Sequence, residues 1–130
     1  MKQVEVLDLN LLSEKEGNCT YDFESIHSQK GRILAFRKKG SISGNHWHEG
    51  KSTTKNPEEM LIISGRLKLE WTDEPEGIYQ HSKLIEAPAL IRINPGIKHR
   101  VEALEDLCFL EFNSLAEHAA DTLYPNHQEK

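Results

Sequence analysis

Cysteine is scarce in this sequence, basic blocks are missing, and no apolar run is long enough to cross a bilayer. Each absence narrows the field. Only Cys19 and Cys108 are present, far apart in the chain. Such sparse use fits free thiols in a reducing compartment better than a disulfide framework. The 16 basic residues are outnumbered by 21 acidic ones, giving a formal charge of −5. With no cluster of Lys and Arg, nucleic acid is not expected as a partner. The opening MKQVEVLDLN mixes charged and apolar residues, unlike the continuous apolar core of a signal peptide. Without a membrane-spanning run, the expectation is a soluble, cytoplasmic protein. No internal repeat, linker or low-complexity tract is present. A chain of 130 residues fits one domain over 1–130 and can bury a core without disulfides.

Helix signals are few, and short β-prone segments recur between Gly, Pro, Asn and Asp. VEVLDLNLL alternates apolar and polar residues over Val4, Val6 and Leu9, a half-buried strand pattern. YDFESI, GRILAFRK, IYQHSKLI, LIRI, KHRVEAL and CFLEFN read as further strands. MLIISGRLKLEW holds two strands around a turn or bulge at Ser64-Gly65. SLAEHAADTLY suits a short terminal helix, and 124–130 is expected to fray. Many short strands at even spacing indicate an all-β sandwich or barrel. Cys108, between Leu107 and Phe109, is expected in the core.

The stretch GNHWHEGKSTTKNPEEMLIISG carries the chemistry. A strand sends alternate side chains to opposite faces, so His46 and His48 share one face, about 6–7 Å apart, and Trp47 points away. Two such imidazoles can converge on one ion, with a carboxylate and a third imidazole as common additions. Alternation puts Glu58 on the face of Met60 and Ile62, and Glu59 with Leu61 and Ile63. Glu49 is the third acid within reach. His99 follows the turn NPGIK. The remaining histidines, His27, His81, His118 and His127, have no partner at ligand-like spacing. Arg37, Tyr79, His81 and Arg92 are polar groups on strands that could line a pocket. The loop EGKSTTKNP between His48 and Glu58 is a candidate lid.

These residues resemble the cupin family. Gly40, five residues and then His46-Trp47-His48 follow the first cupin motif, which ends here in Glu58, six residues and Gly65. Gly96, two residues and His99 follow the second motif over 95–103, with Pro95 one place late and Ala103 where Asn is usual. The resemblance implies a jelly-roll barrel with little helix. It also implies one divalent transition metal, zinc, nickel, manganese or iron, held by His46, His48, Glu58 and His99. Nine residues separate His48 from Glu58, against three or four in the family pattern, so Glu49 and Glu59 remain competitors for the carboxylate. GNHWH, TKN and the following acid and apolar run are most similar to the metal-binding cupin domain of capsular-polysaccharide sugar-nucleotide enzymes. That similarity implies a sugar-related small-molecule ligand, epimerase or isomerase chemistry in polysaccharide biosynthesis, and a homodimer.

Fold alone decides little about function. An iron- or copper-dependent dioxygenase would use the same ligand set. A metal-free isomerase would use His46 and His48 as proton carriers, and a binding module would hold a ligand without turnover. No residue is assigned a catalytic role by the sequence.

Overall fold

The protein is described from a computed structural model, which covers residue 5, residues 8–25 and residues 28–125. Its strands are β1 (Asn10–Lys15), β2 (Asn18–Ser25), β3 (Ser28–Arg37), β4 (Ile42–His48), β5 (Glu58–Ser64), β6 (Arg66–Thr72), β7 (His81–Glu86), β8 (Ala89–Ile93), β9 (Lys98–Ala103) and β10 (Leu107–Glu111). A six-residue helix, α1 (Leu115–Ala120), and the two-residue strand β11 (Thr122–Leu123) close the chain. Pairing is antiparallel throughout. One sheet runs β1-β2-β3-β10-β5-β8 and the other β11-β4-β9-β6-β7.

The two sheets face each other across an apolar core, which follows from period-two alternation on their inner faces. Ala35, Met60, Ile62, Ile91, Ile93, Leu107 and Phe109 come from the six-stranded sheet, and Leu67, Leu69, Val101 and Ala103 from the five-stranded one. Full burial of each aliphatic side chain contributes about 1.5–3 kcal/mol. The corner between β5 and β6 needs its glycine. Gly65 has φ +97°, and a Cβ there would lie 2.3 Å from the Asp106 carbonyl oxygen.

Three expectations change. The N-terminal strand begins at Asn10, and Val4 and Val6 lie outside the described residues. Cys108 is half-buried on the outer face, because its neighbours Leu107 and Phe109 take the inner one. The tail is anchored further than expected: Pro125 is fully buried, and residues 126–130 lie outside the described residues.

Candidate metal centre

At one end of the sandwich the inner faces turn from apolar to polar. His46 and His48 on β4, Glu58 at the start of β5 and His99 on β9 are all buried there. A β-bulge aims the first two. Ser43 pairs with Val101 and Gly44 with Arg100, but His46 pairs with His99, so Asn45 is the extra residue. Strict alternation from inward-facing Ser43 would have buried Asn45 and exposed both histidines; the bulge shifts the parity by one. It is built from two left-handed residues, Gly44 (φ +89°) and Asn45 (φ +61°). The Tyr79 hydroxyl donates to Asn45 Oδ1 and holds the bulge from the side.

The rings of His46, His48 and His99 lie 4.8–5.6 Å apart, centre to centre. One ligand atom from each falls within 4.8 Å of the others. Two imidazoles sharing an ion at about 2.1 Å per bond bring their ring centres to roughly this separation. The Glu58 carboxylate sits between the rings: Oε2 is 3.1 Å from His48 Nε2, and Oε1 is 3.2 Å from His99 Nε2. Competitors for this position lie elsewhere. Glu59 pairs with Arg92 at 2.6 Å on the outer face, and exposed Glu49 pairs with Lys51 at 3.4 Å.

The tautomers decide what this arrangement calls for. His48 Nδ1 is 2.9 Å from the Asp121 carbonyl oxygen, and His99 Nδ1 is 3.0 Å from that of Ile97. A carbonyl only accepts, so each Nδ1 carries the proton. In the neutral ring each Nε2 then presents a lone pair toward the Glu58 carboxylate. His48 Nε2 and Glu58 Oε1 are buried without a hydrogen-bond partner, despite the short distances, as two atoms that both present lone pairs must be. Lone pairs gathered in a buried site, beyond the one that the Lys55 ammonium meets on Glu58 Oε2, suit a metal cation. Donors bound to one ion at about 2.1 Å and near right angles lie about 3 Å apart, the spacing seen here. The backbone carbonyls behind both rings are the outer-shell partners that fix a ligating histidine. The residues therefore fit a divalent transition ion.

The loop 49–57 does more than lengthen the first motif. It delivers Lys55, which is completely buried and donates from Nζ to Glu58 Oε2. This loop, the candidate lid, is tied down on one side. Ser52 Oγ and Thr54 Oγ1 each donate to Glu117 Oε2 at 2.9 Å. The other oxygen of Glu117 completes a capping box with Ser114 at the start of α1. Asp121 accepts from the amides of Glu49, Gly50 and Ser52 at 3.0, 3.0 and 3.3 Å.

The same segment brings in a histidine that sequence spacing missed. His118 on α1 stands 5.4 Å from the His46 ring and 5.5 Å from the His48 ring, centre to centre. Its local sequence offers no ligand spacing, because its neighbours in space come from β4 and β5. His81 stacks on Trp71, and His27 and His127 lie outside the described residues.

A cavity of about 330 Å³ opens onto this cluster. His46, Glu58, His99 and His118 form its polar floor, and Ile33, Met60, Val101 and Phe109 part of its apolar wall. Of the four pocket candidates from the sequence, only Arg37 lines it. Nη1 of Arg37 donates to Thr20 Oγ1 at 2.9 Å and to the carbonyls of Cys19 and Phe36. Its Nε and Nη2 hydrogens have no acceptor among the described residues. Glu111 is a further acid on the wall, inward-facing in the row of Leu107 and Phe109.

Burial and neighbouring charge set the proton affinities. Burial pushes His46 down to about 2, helped by His99 and His48. It pushes His118 down to about 4, with Lys55 adding to the effect. Both are neutral near pH 7, as ligating imidazoles must be. Burial alone would raise the Glu58 carboxyl. The buried Lys55 ammonium beside it acts in the opposite direction and favours the ionised carboxylate. Glu111 moves the other way, raised by burial and by the charge of Glu58.

No family model and no curated protein matches the chain, but solved structures do. The capsular polysaccharide assembling protein CapF from Staphylococcus aureus is 17% identical, with a TM-score of 0.71, over 92% of this chain and 32% of its own. Lactobacillus farciminis oxalate decarboxylase, solved as a formate complex, is 22% identical with a TM-score of 0.62, over 97% of this chain and 35% of its own. Bacillus subtilis oxalate decarboxylase, studied for its Mn(II) centres, is 20% identical with a TM-score of 0.57, over 92% of this chain and 29% of its own. This chain thus spans about a third of the length of each. The likeness is one of fold: the chain has a cupin-like fold of two antiparallel sheets, nearly all-β, with one short C-terminal helix among the described residues.

Proposed function

We propose that the chain is a metal-dependent enzyme in which His46, His48, His99 and Glu58 hold one divalent transition ion beneath a cavity for a small, sugar-related ligand. The observation that carries this reading is the placement of His48 Nε2 and His99 Nε2 at 3.1 and 3.2 Å from the buried Glu58 carboxylate, with each Nδ1 turned to a backbone carbonyl. Bound there, the ion supplies Lewis acidity toward a substrate carbonyl or hydroxyl.

The chain's own residues divide the remaining work. Lys55 balances the charge of Glu58, which is otherwise expensive to bury. Ile33, Met60, Val101 and Phe109 keep water from one wall. Arg37 offers its unpaired N–H groups to an anionic or hydroxyl-rich part of the ligand. Glu111, whose proton affinity is raised by burial, is suited to take a proton from carbon beside a carbonyl at one carboxylate oxygen and return it. Such a transfer epimerises or isomerises a keto-sugar. A cavity of about 330 Å³ sits at the small end of ligand sites, the size of a sugar ring rather than a whole nucleotide-sugar. The likeness to a capsular polysaccharide assembling protein supports a sugar ligand in polysaccharide biosynthesis, and the motif resemblance supports a nucleotide-linked one, with the sugar ring in the cavity and the nucleotide outside it. The test is solvent deuterium incorporation into a nucleotide-linked keto-sugar by the metal-loaded protein. Loss of incorporation in both His46→Ala and Glu111→Gln is expected; incorporation unchanged in Glu111→Gln would remove that residue from the reaction.

A second reading is favoured by Arg37 on the cavity wall and by the likeness to the oxalate decarboxylases. A small carboxylate would pair with Arg37 in the cavity, and a redox-active ion held by His46, His48, His99 and Glu58 would supply electron-transfer chemistry with dioxygen as the oxidant. Oxalate or oxygen consumption by the manganese- or iron-loaded protein, without proton exchange into a keto-sugar, would select this reading.

A further inference from the structure

His118 belongs to neither cupin motif, yet the fold carries it into the metal centre. One ligand atom from each of His48, Glu58 and His118 lies within 4.8 Å of the others. This group shares His48 with the triad of His46, His48 and His99, and the His118 ring stands 5.4 Å from that of His46 and 5.5 Å from that of His48, centre to centre. The His118 Nδ1 atom is buried and has no hydrogen-bond partner. A buried polar atom left unpaired is destabilising unless a bound partner satisfies it.

The elements around His118 explain how it is held there. Its carbonyl oxygen accepts from the Thr122 hydroxyl and from the Asp121 amide, at 3.3 Å for the latter. Thr122 pairs with His48 across β11 and β4, and its Oγ1 lies 3.3 Å from His48 Nδ1. Glu117, the neighbouring residue, is fastened to Ser52 and Thr54 of the loop that carries Lys55. His118 is therefore fixed from both sides on a segment built around the cluster.

We propose that His118 is a further ligand of the ion, giving a centre of four imidazoles and one carboxylate, and that the ion fastens the C-terminal segment onto the barrel. The inference rests on the metal reading above. It assigns α1 a role in the chemistry: Leu115, His118 and Tyr124 all line the cavity, so the segment that completes the metal shell also forms one wall of the substrate site.

Two measurements on the full chain test it. In the first, chelator-stripped wild type and His118→Ala are titrated with Mn²⁺ and with Zn²⁺ by calorimetry. Loss of an outer-shell partner typically weakens metal binding about 10–100-fold, so loss of a direct ligand is expected to cost at least that much. Equal affinity in the two proteins overturns the proposal while leaving the four-residue site intact. No binding by wild type overturns the metal reading itself, and this one with it. The second measurement needs no variant and survives misfolding of His118→Ala. Long-range ¹H–¹⁵N spectra of ¹⁵N-histidine-labelled wild type are recorded with and without Zn²⁺. A ring nitrogen of His118 is expected to shift on zinc binding together with those of His46, His48 and His99. Shifts confined to the other three would overturn the proposal.

Discussion

Replacing Lys55 by Met probes the least familiar feature of the centre. Lys55 is 0% exposed and forms an ion pair with Glu58, at 1%. Removing one member of a buried ion pair leaves the other uncompensated, which costs about 3–5 kcal/mol. For a chain of this size each kcal/mol moves the melting temperature by roughly 3–6 °C. The metal-free Lys55→Met protein should therefore melt about 10–25 °C below wild type. Metal then acts differently on the two proteins. In wild type an incoming ion meets the Lys55 charge beside Glu58; in the variant it takes the place of that charge. Metal affinity should rise in Lys55→Met, and saturating Mn²⁺ should recover most of the lost stability through the binding linkage. The assay is urea denaturation of both proteins in chelator and in excess Mn²⁺. Lys51→Met is the control: Lys51 sits in the same loop and pairs with Glu49, but its side chain is 69% exposed, so its removal should cost under about 1 kcal/mol. A metal-free Lys55→Met protein within about 1 kcal/mol of wild type would refute the reasoning, as would equal gains from Mn²⁺ in the two proteins.

Acid should unfold the metal-free protein early. His46 and His118 fall from 6.5 to about 2 and about 4 when folded, so the unfolded chain binds protons that the folded one refuses. Their contribution is complete above pH 6.5 and is lost as pH falls, at up to about 2–3 kcal/mol per pH unit between roughly pH 6 and pH 4; denaturation curves at pH 7.5 and pH 5 that superimpose would contradict this. Gly44→Ala should destabilise by more than the roughly 1–2 kcal/mol of a left-handed residue. Its Cβ would sit 2.9 Å from the His99 carbonyl oxygen, so metal affinity by calorimetry should fall as well. Asp121→Ala removes the acceptor of three loop amides, at about 3 kcal/mol or more. Amide exchange at Glu49, Gly50 and Ser52 should speed up, and protection unchanged there would remove Asp121 from the loop's anchoring.

Local pattern carried much of this structure. Alternation along EEMLIIS placed Glu58, Met60 and Ile62 inward, as found, and separated Glu58 from Glu59 and its outer-face partner Arg92. The His46-Trp47-His48 alternation held for the same reason. Parity relative to the start of β4 did not follow from the pattern, because one extra residue at Asn45 reverses it. Lys55 was illegible: a lysine in a run of Ser, Thr, Lys and Asn reads as solvated, and only Glu58 and the burying loop make it internal. His118 was missed because its cluster partners come from strands far away in sequence, and the six-residue helix that carries it has no buried residue to mark a face. The hooks that position both, Glu117 to Ser52 and Asp121 to the loop amides, join residues 65 to 72 apart in the chain. Interactions of that range leave no local periodicity to read.

The central claim is that His46, His48, His99 and Glu58 hold a metal ion. Elemental analysis of the protein purified without chelator and without an affinity tag measures it most directly, with Glu58→Gln and His46→Ala purified in parallel. The expected result is close to one transition-metal ion per wild-type chain, with occupancy strongly reduced in both variants. A folded wild-type protein that carries no metal, and takes none up on dialysis against Mn²⁺, Zn²⁺, Ni²⁺ or Fe²⁺, would contradict the claim.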